Sequence, residues 1–166
     1  AHQRALALAS DADVVLLTLG LSHKLEGEEM ENSPEGFHRG DRTTIALPAP
    51  QQRLLDEVSE LGKPVVLLLS SGSALAFEPA KANAVLQTWY YGAQGGRAIA
   101  DALVGAFSPA GRLPVTFYRS DADLPAFEDY AMQGRTYRYF DGKPLFAFGH
   151  GLTYTRFEYS GLSVAR

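Results

Sequence analysis

The 166 residues suffice for one domain with a single core. Hydrophobic residues make up 46% and charged residues 20%, a globular balance, and a net charge of −4 offers no basic field to hold nucleic acid or an anionic membrane. The absence of cysteine excludes disulfides, thiolate metal sites and cysteine nucleophiles.

Taken in chain order, no signal peptide is read at the start: Ala1-His2-Gln3-Arg4 runs straight into an apparent helix that ends over Ala5 to Ala9. The start therefore reads as the middle of a domain truncated at its N-terminal side. Ser10 to Asp13 favour a turn. Val14 to Leu17 form an apolar run that closes at Gly20, the pattern of a strand buried on both faces. Leu21 to Pro50 form a polar stretch of a length that is usually functional or disordered. A helix is predicted over Pro50 to Leu61, with Leu54, Leu55, Val58 and Leu61 on one face and Gly62 as its stop. Pro64 to Ser70 reads as a second buried strand, Ser71 to Ser73 as a turn and Pro79 to Asn83 as a helical turn. Ala84 to Trp89 is a third strand candidate and Gln94 to Gly105 a helix. Strands alternating with helices imply an α/β fold: a mostly parallel open sheet flanked by helices, in a three-layer sandwich. Both apolar runs are too short to span a bilayer. After Pro109, aromatic residues, Pro and Gly become dense. Val115 to Phe117 and Leu145 to Phe148 suit short strands, and Arg156 to Val164 alternates like a strand leading elsewhere.

On such a sheet ligands bind beyond the carboxyl ends of the strands. Three loops emerge there: Leu21 to Pro50, Ser70 to Ala76, and Tyr90 to Gln94. The first holds Glu26, Glu28, Glu29, Glu31 and Glu35, then Asp41-Arg42. Taken alone it is a solvated acidic loop or a site, and both readings stand. A glycoside-cleaving site needs one carboxylic acid to protonate the leaving oxygen and a second carboxylate as base or nucleophile. Asp41 and Arg42 suit a loop anchor, the arginine reaching a carboxylate in a bidentate pair. Ser70-Ser71-Gly72-Ser73 lacks the spacing of a nucleophile elbow and reads as a turn. Gly92 to Gly96 lacks the spacing of a phosphate cradle and reads as a tight strand-to-helix connection. The four histidines have no metal-ligand spacing, and neither metal nor cofactor is expected. Trp89-Tyr90-Tyr91 suits either core packing or stacking on a sugar ring.

Several segments, in this order, resemble the C-terminal α/β sandwich domain of glycoside hydrolase family 3, which includes many β-glucosidases and β-xylosidases. They are Leu25-Glu26-Gly27-Glu28, Gly40-Asp41-Arg42-Thr43, Lys63 to Val66 leading to Ser71-Gly72, and Trp89-Tyr90-Tyr91-Gly92 with Gln94-Gly95-Gly96. Ala98 to Asp101, Pro109 to Pro114, Gly134 to Tyr139 and Phe148 to Thr155 follow. The resemblance covers nearly the whole chain. It implies a retaining exo-β-glycosidase, β-glucosidase-like or β-xylosidase, cleaving terminal β-linked sugars in polysaccharide degradation. The nucleophile would be an aspartate on a preceding (β/α)8 barrel, so the chain alone is expected to be inactive. The family pattern Glu-x-Glu-Gly-x-Asp-Arg maps the acid/base to Glu28, with Glu26 and Glu29 as alternatives, because Glu29 to Gly40 are inserted before Asp41. Trp-Tyr-Pro-Gly is replaced by Trp89-Tyr90-Tyr91-Gly92, and Phe-Gly-Tyr-Gly by Phe148-Gly149-His150-Gly151. The implied domain is 1–156, with 157–166 as a linker toward a fibronectin-like domain. The implied location is periplasmic or secreted, with a β-linked oligosaccharide as partner and neither nucleic acid nor membrane. A carbohydrate-binding or scaffold module without catalysis is the competing class.

Overall fold

A computed structural model describes residues 2–31 and 33–165. Helix α1 (His2–Asp11) leads into strand β1 (Val15–Gly20), and a two-residue ribbon, β2 (Phe37–His38) and β3 (Asp41–Arg42), interrupts the long loop. Helix α2 (Ala49–Ser59), strands β4 (Val65–Ser70) and β5 (Ala84–Gln87), helix α3 (Gly95–Leu103) and the short helix α4 (Thr136–Tyr139) follow. The sheet runs β1-β4-β5 and is wholly parallel, with Val15 opposite Val65, Gly20 opposite Ser70, and Val66 opposite Ala84. An α/β fold with a parallel sheet flanked by helices is what the alternating pattern called for.

The apolar runs divide by position in the sheet. Central β4 buries Val65, Leu67, Leu68 and Leu69, so its run is continuous because both faces are covered. β1 differs from the two-faced burial expected of it. Val15, Leu17 and Leu19 are buried, whereas Leu16 is 54% exposed and Thr18 is exposed. Among the described residues β1 lies at the edge of the sheet, and α1 and α2 cover one of its faces. The core lies between that face and the helices, where Leu55 and Val58 of α2 meet Ala9, Leu17, Leu19 and Leu67. Helix α2 begins at Pro48, whose carbonyl accepts from the N–H groups of Gln51 and Gln52, and it is followed by Gly62 in the left-handed region at φ +68°.

The expected strands at 115–117 and 145–148 reduce to one antiparallel bridge, Phe117 to Phe146. Buried Phe117 sits edge-on to both Trp89 and Phe146, with ring centroids 6.2 Å apart in each case. This segment thereby braces the end of β5 from outside. Residues 156–165 form no strand and lie exposed, since none of the described residues pairs with them.

Candidate active site

The parallel sheet places the carboxyl ends of β1 and β4 side by side, and the closest contact is at their last residues. A Cβ on Gly20 would lie 1.8 Å from the Ser70 carbonyl oxygen, at φ +128°, so only glycine fits there. Gln51 locks this end of β1. Its Oε1 accepts from the Gly20 N–H at 2.6 Å and its Nε2 donates to the Gly20 carbonyl at 2.7 Å, as a neighbouring strand would. Beyond Gly20 the chain turns: the N–H groups of Leu25 and Glu26 both donate to the Ser22 carbonyl at 2.9 Å. That turn carries Glu26 back over the strand ends. A cleft of 820 Å³ opens there, lined among others by Gly20, His23, Glu26, Gln51, Ser70 and Tyr90.

Of the three candidate glutamates, only Glu26 lines this cleft. It is half-buried, and its Oε2 accepts a 2.7 Å hydrogen bond from the Tyr90 hydroxyl. Glu28 is exposed and has no hydrogen-bond or ion-pair partner among the described residues. Glu29 is exposed, takes a left-handed φ of 49° and pairs with Arg39. The loop therefore brings Glu26 to the cleft and leaves Glu28 and Glu29 outside it.

The insertion from Glu29 to Gly40 closes on itself. The Met30 N–H donates to the Arg39 carbonyl at 2.8 Å, and a Cβ on Gly40 would lie 1.6 Å from the Gly27 carbonyl oxygen. At that neck the backbones of Gly27 and Gly40 touch, so Glu26 and Asp41-Arg42 are neighbours despite the inserted residues. Phe37, buried in the core, pins the far side of the loop. Arg42 reaches across to the turn after β4. Its Nη1 donates to the Ser73 hydroxyl at 2.7 Å and the Ala74 carbonyl at 2.9 Å, and its Nε to the Thr44 carbonyl at 3.2 Å. Its partners are hydroxyl and carbonyl oxygens, not the carboxylate pair expected for it. Burial draws the guanidinium below the usual arginine value, opposed first by the charge of Glu26 and then by Asp121 and Tyr90. Asp41 is exposed and pairs through its backbone with His38 in the ribbon. Asp121 braces the next stretch, accepting from the Thr44 hydroxyl and the Ile45 N–H.

Tyr90 is the residue that sequence reasoning noticed only as part of an aromatic cluster. Burial, then the hydrogen bond to Glu26 and the charge of Glu26, push its phenol up to about 12, and the Gly72 N–H and Arg42 oppose this. The phenol thus stays a neutral donor through the neutral and alkaline range. The folded value lies above the ordinary 10.0, so between 10 and about 12 the native state holds a proton that the unfolded state has lost. Stability is therefore fully present below pH 10 and falls as pH rises toward 12. In the intact protein the urea midpoint is expected to drop over that interval, and to drop less in Tyr90→Phe. Equal slopes would contradict the contact.

The remaining candidates resolve simply. Ser71 is fully buried, its hydroxyl donating to the Ser73 carbonyl and accepting from Gln87 Nε2, as in a turn. Gly95 lies under the Tyr91 ring, where a Cβ would come 2.2 Å from Cδ2. His150 stacks on Phe146 and His2 bonds Glu57. No cluster of metal-ligating side chains exists among the described residues.

Residues 1–154 match the model of the glycosyl hydrolase family 3 C-terminal domain. The chain belongs to glycosyl hydrolase family 3. A xylan 1,4-beta-xylosidase of Xylanibacter ruminicola is 47% identical over 95% of the chain and 18% of its own length. A periplasmic beta-glucosidase of Salmonella typhimurium is 37% identical over 97% of the chain and 22% of its own. Among solved structures, a GH3 exo-beta-xylosidase in complex with a xylobiose aziridine activity-based probe superposes with a TM-score of 0.78 at 32% identity, covering 93% of this chain and 20% of that one. The chain thus spans about a fifth of the length of these family 3 relatives.

Proposed function

We propose that this chain supplies the acid/base carboxylate of a retaining exo-β-glycosidase that removes terminal β-linked xylose or glucose, and that Glu28 is that carboxylate, with Glu26 and Glu29 as alternatives. One observation supports this order: Glu28 is exposed and without a partner among the described residues, open to a sugar held by chain outside this domain, whereas Glu26 is bonded to Tyr90 and Glu29 is paired with Arg39. In this mechanism a barrel aspartate, outside this chain, attacks the anomeric carbon while Glu28 protonates the departing glycosidic oxygen. Glu28 then takes a proton from the water that releases the sugar. The two carboxyl groups would stand about 5 Å apart.

The names of the relatives support the substrate class, and the 47% identity to a xylosidase puts the xyloside first. The family match over residues 1–154 supports 1–156 as the domain, and we assign 157–166 as a linker. The Salmonella relative is a periplasmic enzyme, which supports placement in the periplasm or outside the cell, and fractionation of source cells checks it. The function itself is tested by following hydrolysis of an aryl β-xyloside and an aryl β-glucoside by the full-length protein with NMR. The expected first product is the β-anomer, released faster from the xyloside. First release of the α-anomer, or no turnover of either, contradicts the reading.

A further inference from the structure

We propose that Glu26 is a positioning residue: its carboxylate clasps the acidic loop to the strand ends through Tyr90, so that Glu28, two residues on, is presented to the glycosidic bond. The inference rests on the reading of Glu28 given above. It starts from what holds Glu28. Its side chain is exposed and has no partner among the described residues, so only the backbone on either side can place it. That backbone belongs to the long loop between β1 and α2, and such a segment wanders unless it is tied down. The ties are present on both sides. After Glu28, the Met30 N–H donates to the Arg39 carbonyl at 2.8 Å and closes the insertion. Before it, the Glu26 side chain is the tie. Its Oε2 accepts from the hydroxyl of Tyr90, 64 residues distant in sequence, at 2.7 Å.

The far side of the clasp is a platform at the carboxyl end of β4. Ser71 is fully buried there, and its hydroxyl donates to the Ser73 carbonyl at 2.7 Å, which fixes the turn. The Tyr90 ring rests on Gly72, where a Cβ would lie 2.9 Å from Tyr90 Cε2 and 3.7 Å from Glu26 Oε2. Arg42 stands on the next residue, its Nη1 donating to the Ser73 hydroxyl. Glu26 thus has a phenol bonded to it and a cation near enough for its charge to act on. Tyr90 keeps its proton through the neutral range, so it remains a donor wherever the enzyme would work. The two glutamates divide the labour. A proton shuttle must trade its proton with substrate and water, and Glu28 has the free carboxyl group for that. Glu26 has committed an oxygen to Tyr90 and holds the geometry instead.

The test uses the full-length enzyme and a series of aryl β-xylosides from poor to activated leaving groups. Tyr90→Phe and Glu26→Ala break the clasp from either side. Each is expected to lower kcat/KM about tenfold for the poorest leaving groups and less than about twofold for the most activated. Glu26→Gln is expected to recover most of that loss, because its amide oxygen still accepts from Tyr90. In a Glu28→Gln background neither clasp variant is expected to add a further loss, since no acid is left to misplace. The loop has its own readout. Amide hydrogen exchange at Leu25 and Glu26, whose N–H groups donate to the Ser22 carbonyl, is expected to quicken in Tyr90→Phe. A loss that is uniform across leaving groups, additive with Glu28→Gln, or absent overturns the positioning role. Unchanged exchange, or a Glu26→Gln variant as slow as Glu26→Ala, does the same. If Glu28→Gln itself leaves every rate unchanged, the acid/base reading fails and takes this inference with it. If Glu28→Gln slows the enzyme while Tyr90→Phe and Glu26→Ala do not, only the positioning role fails.

Discussion

Replacing Glu28 by glutamine is expected to lower kcat/KM for glycosides with poor leaving groups by about 10²–10⁴-fold, the range that general acid catalysis contributes. The amide keeps the shape, but it has no proton to give. An activated aryl leaving group departs without protonation, so its first step should hardly slow. Deglycosylation then becomes limiting, because water also loses its base. Glu29→Gln breaks an exposed pair with Arg39, worth about 0–1 kcal/mol, and should stay within about twofold of the wild type. Steady-state rates over a leaving-group series check both. A large loss in Glu26→Gln or Glu29→Gln with none in Glu28→Gln would move the assignment.

The second large effect is expected at the neck of the insertion. In Gly40→Ala the new methyl group would lie 1.6 Å from the Gly27 carbonyl oxygen, at φ +97°. The obstacle is backbone, so no side chain can rotate away, and the left-handed conformation adds about 1–2 kcal/mol of strain. The neck must open, and Gly27 stands between Glu26 and Glu28. We expect about a 10²-fold loss of kcat/KM, the cost of misplacing a reacting group by about an ångström. Gly62→Ala is the control. It has the same kind of backbone, φ +68°, but open space around it, so it should lower the melting temperature slightly and leave the rate alone. Equal rates for Gly40→Ala and Gly62→Ala would show that the neck does not hold Glu28.

The fold was legible because buried parallel strands leave a plain mark. The runs at Val15 to Leu19 and Val65 to Leu69, each preceded by a helical pattern, specify the β1-β4 pair. Less legible was which strand lies at the edge. An apolar run such as Val14 to Leu17 reads alike whether or not a layer covers it, and Leu16 turned out exposed. The acidic loop stands out in the sequence through its place after β1 and its family motif. Which of its glutamates meets Tyr90 does not. Glu26 and Glu28 are two residues apart in a turn, so which one faces the cleft depends on the Ser22 to Glu26 hydrogen bonds and on Tyr90 from a distant segment. The insertion made the choice harder, because its closure rests on a glycine-to-glycine backbone contact that carries no periodicity. Trp89 suits core packing or sugar stacking by residue type, and its ring packs on Phe117, a contact with a distant segment that no local pattern announces.

The most direct test of the acid/base assignment is chemical rescue of Glu28→Ala in the full-length enzyme, with an activated aryl β-xyloside and sodium azide. Azide needs no base, so it should release the trapped sugar, restore turnover and yield the β-xylosyl azide, while Glu26→Ala yields free xylose and gains nothing from azide. A β-xylosyl azide formed by Glu26→Ala, with Glu28→Ala unaffected by azide, would contradict the assignment of Glu28.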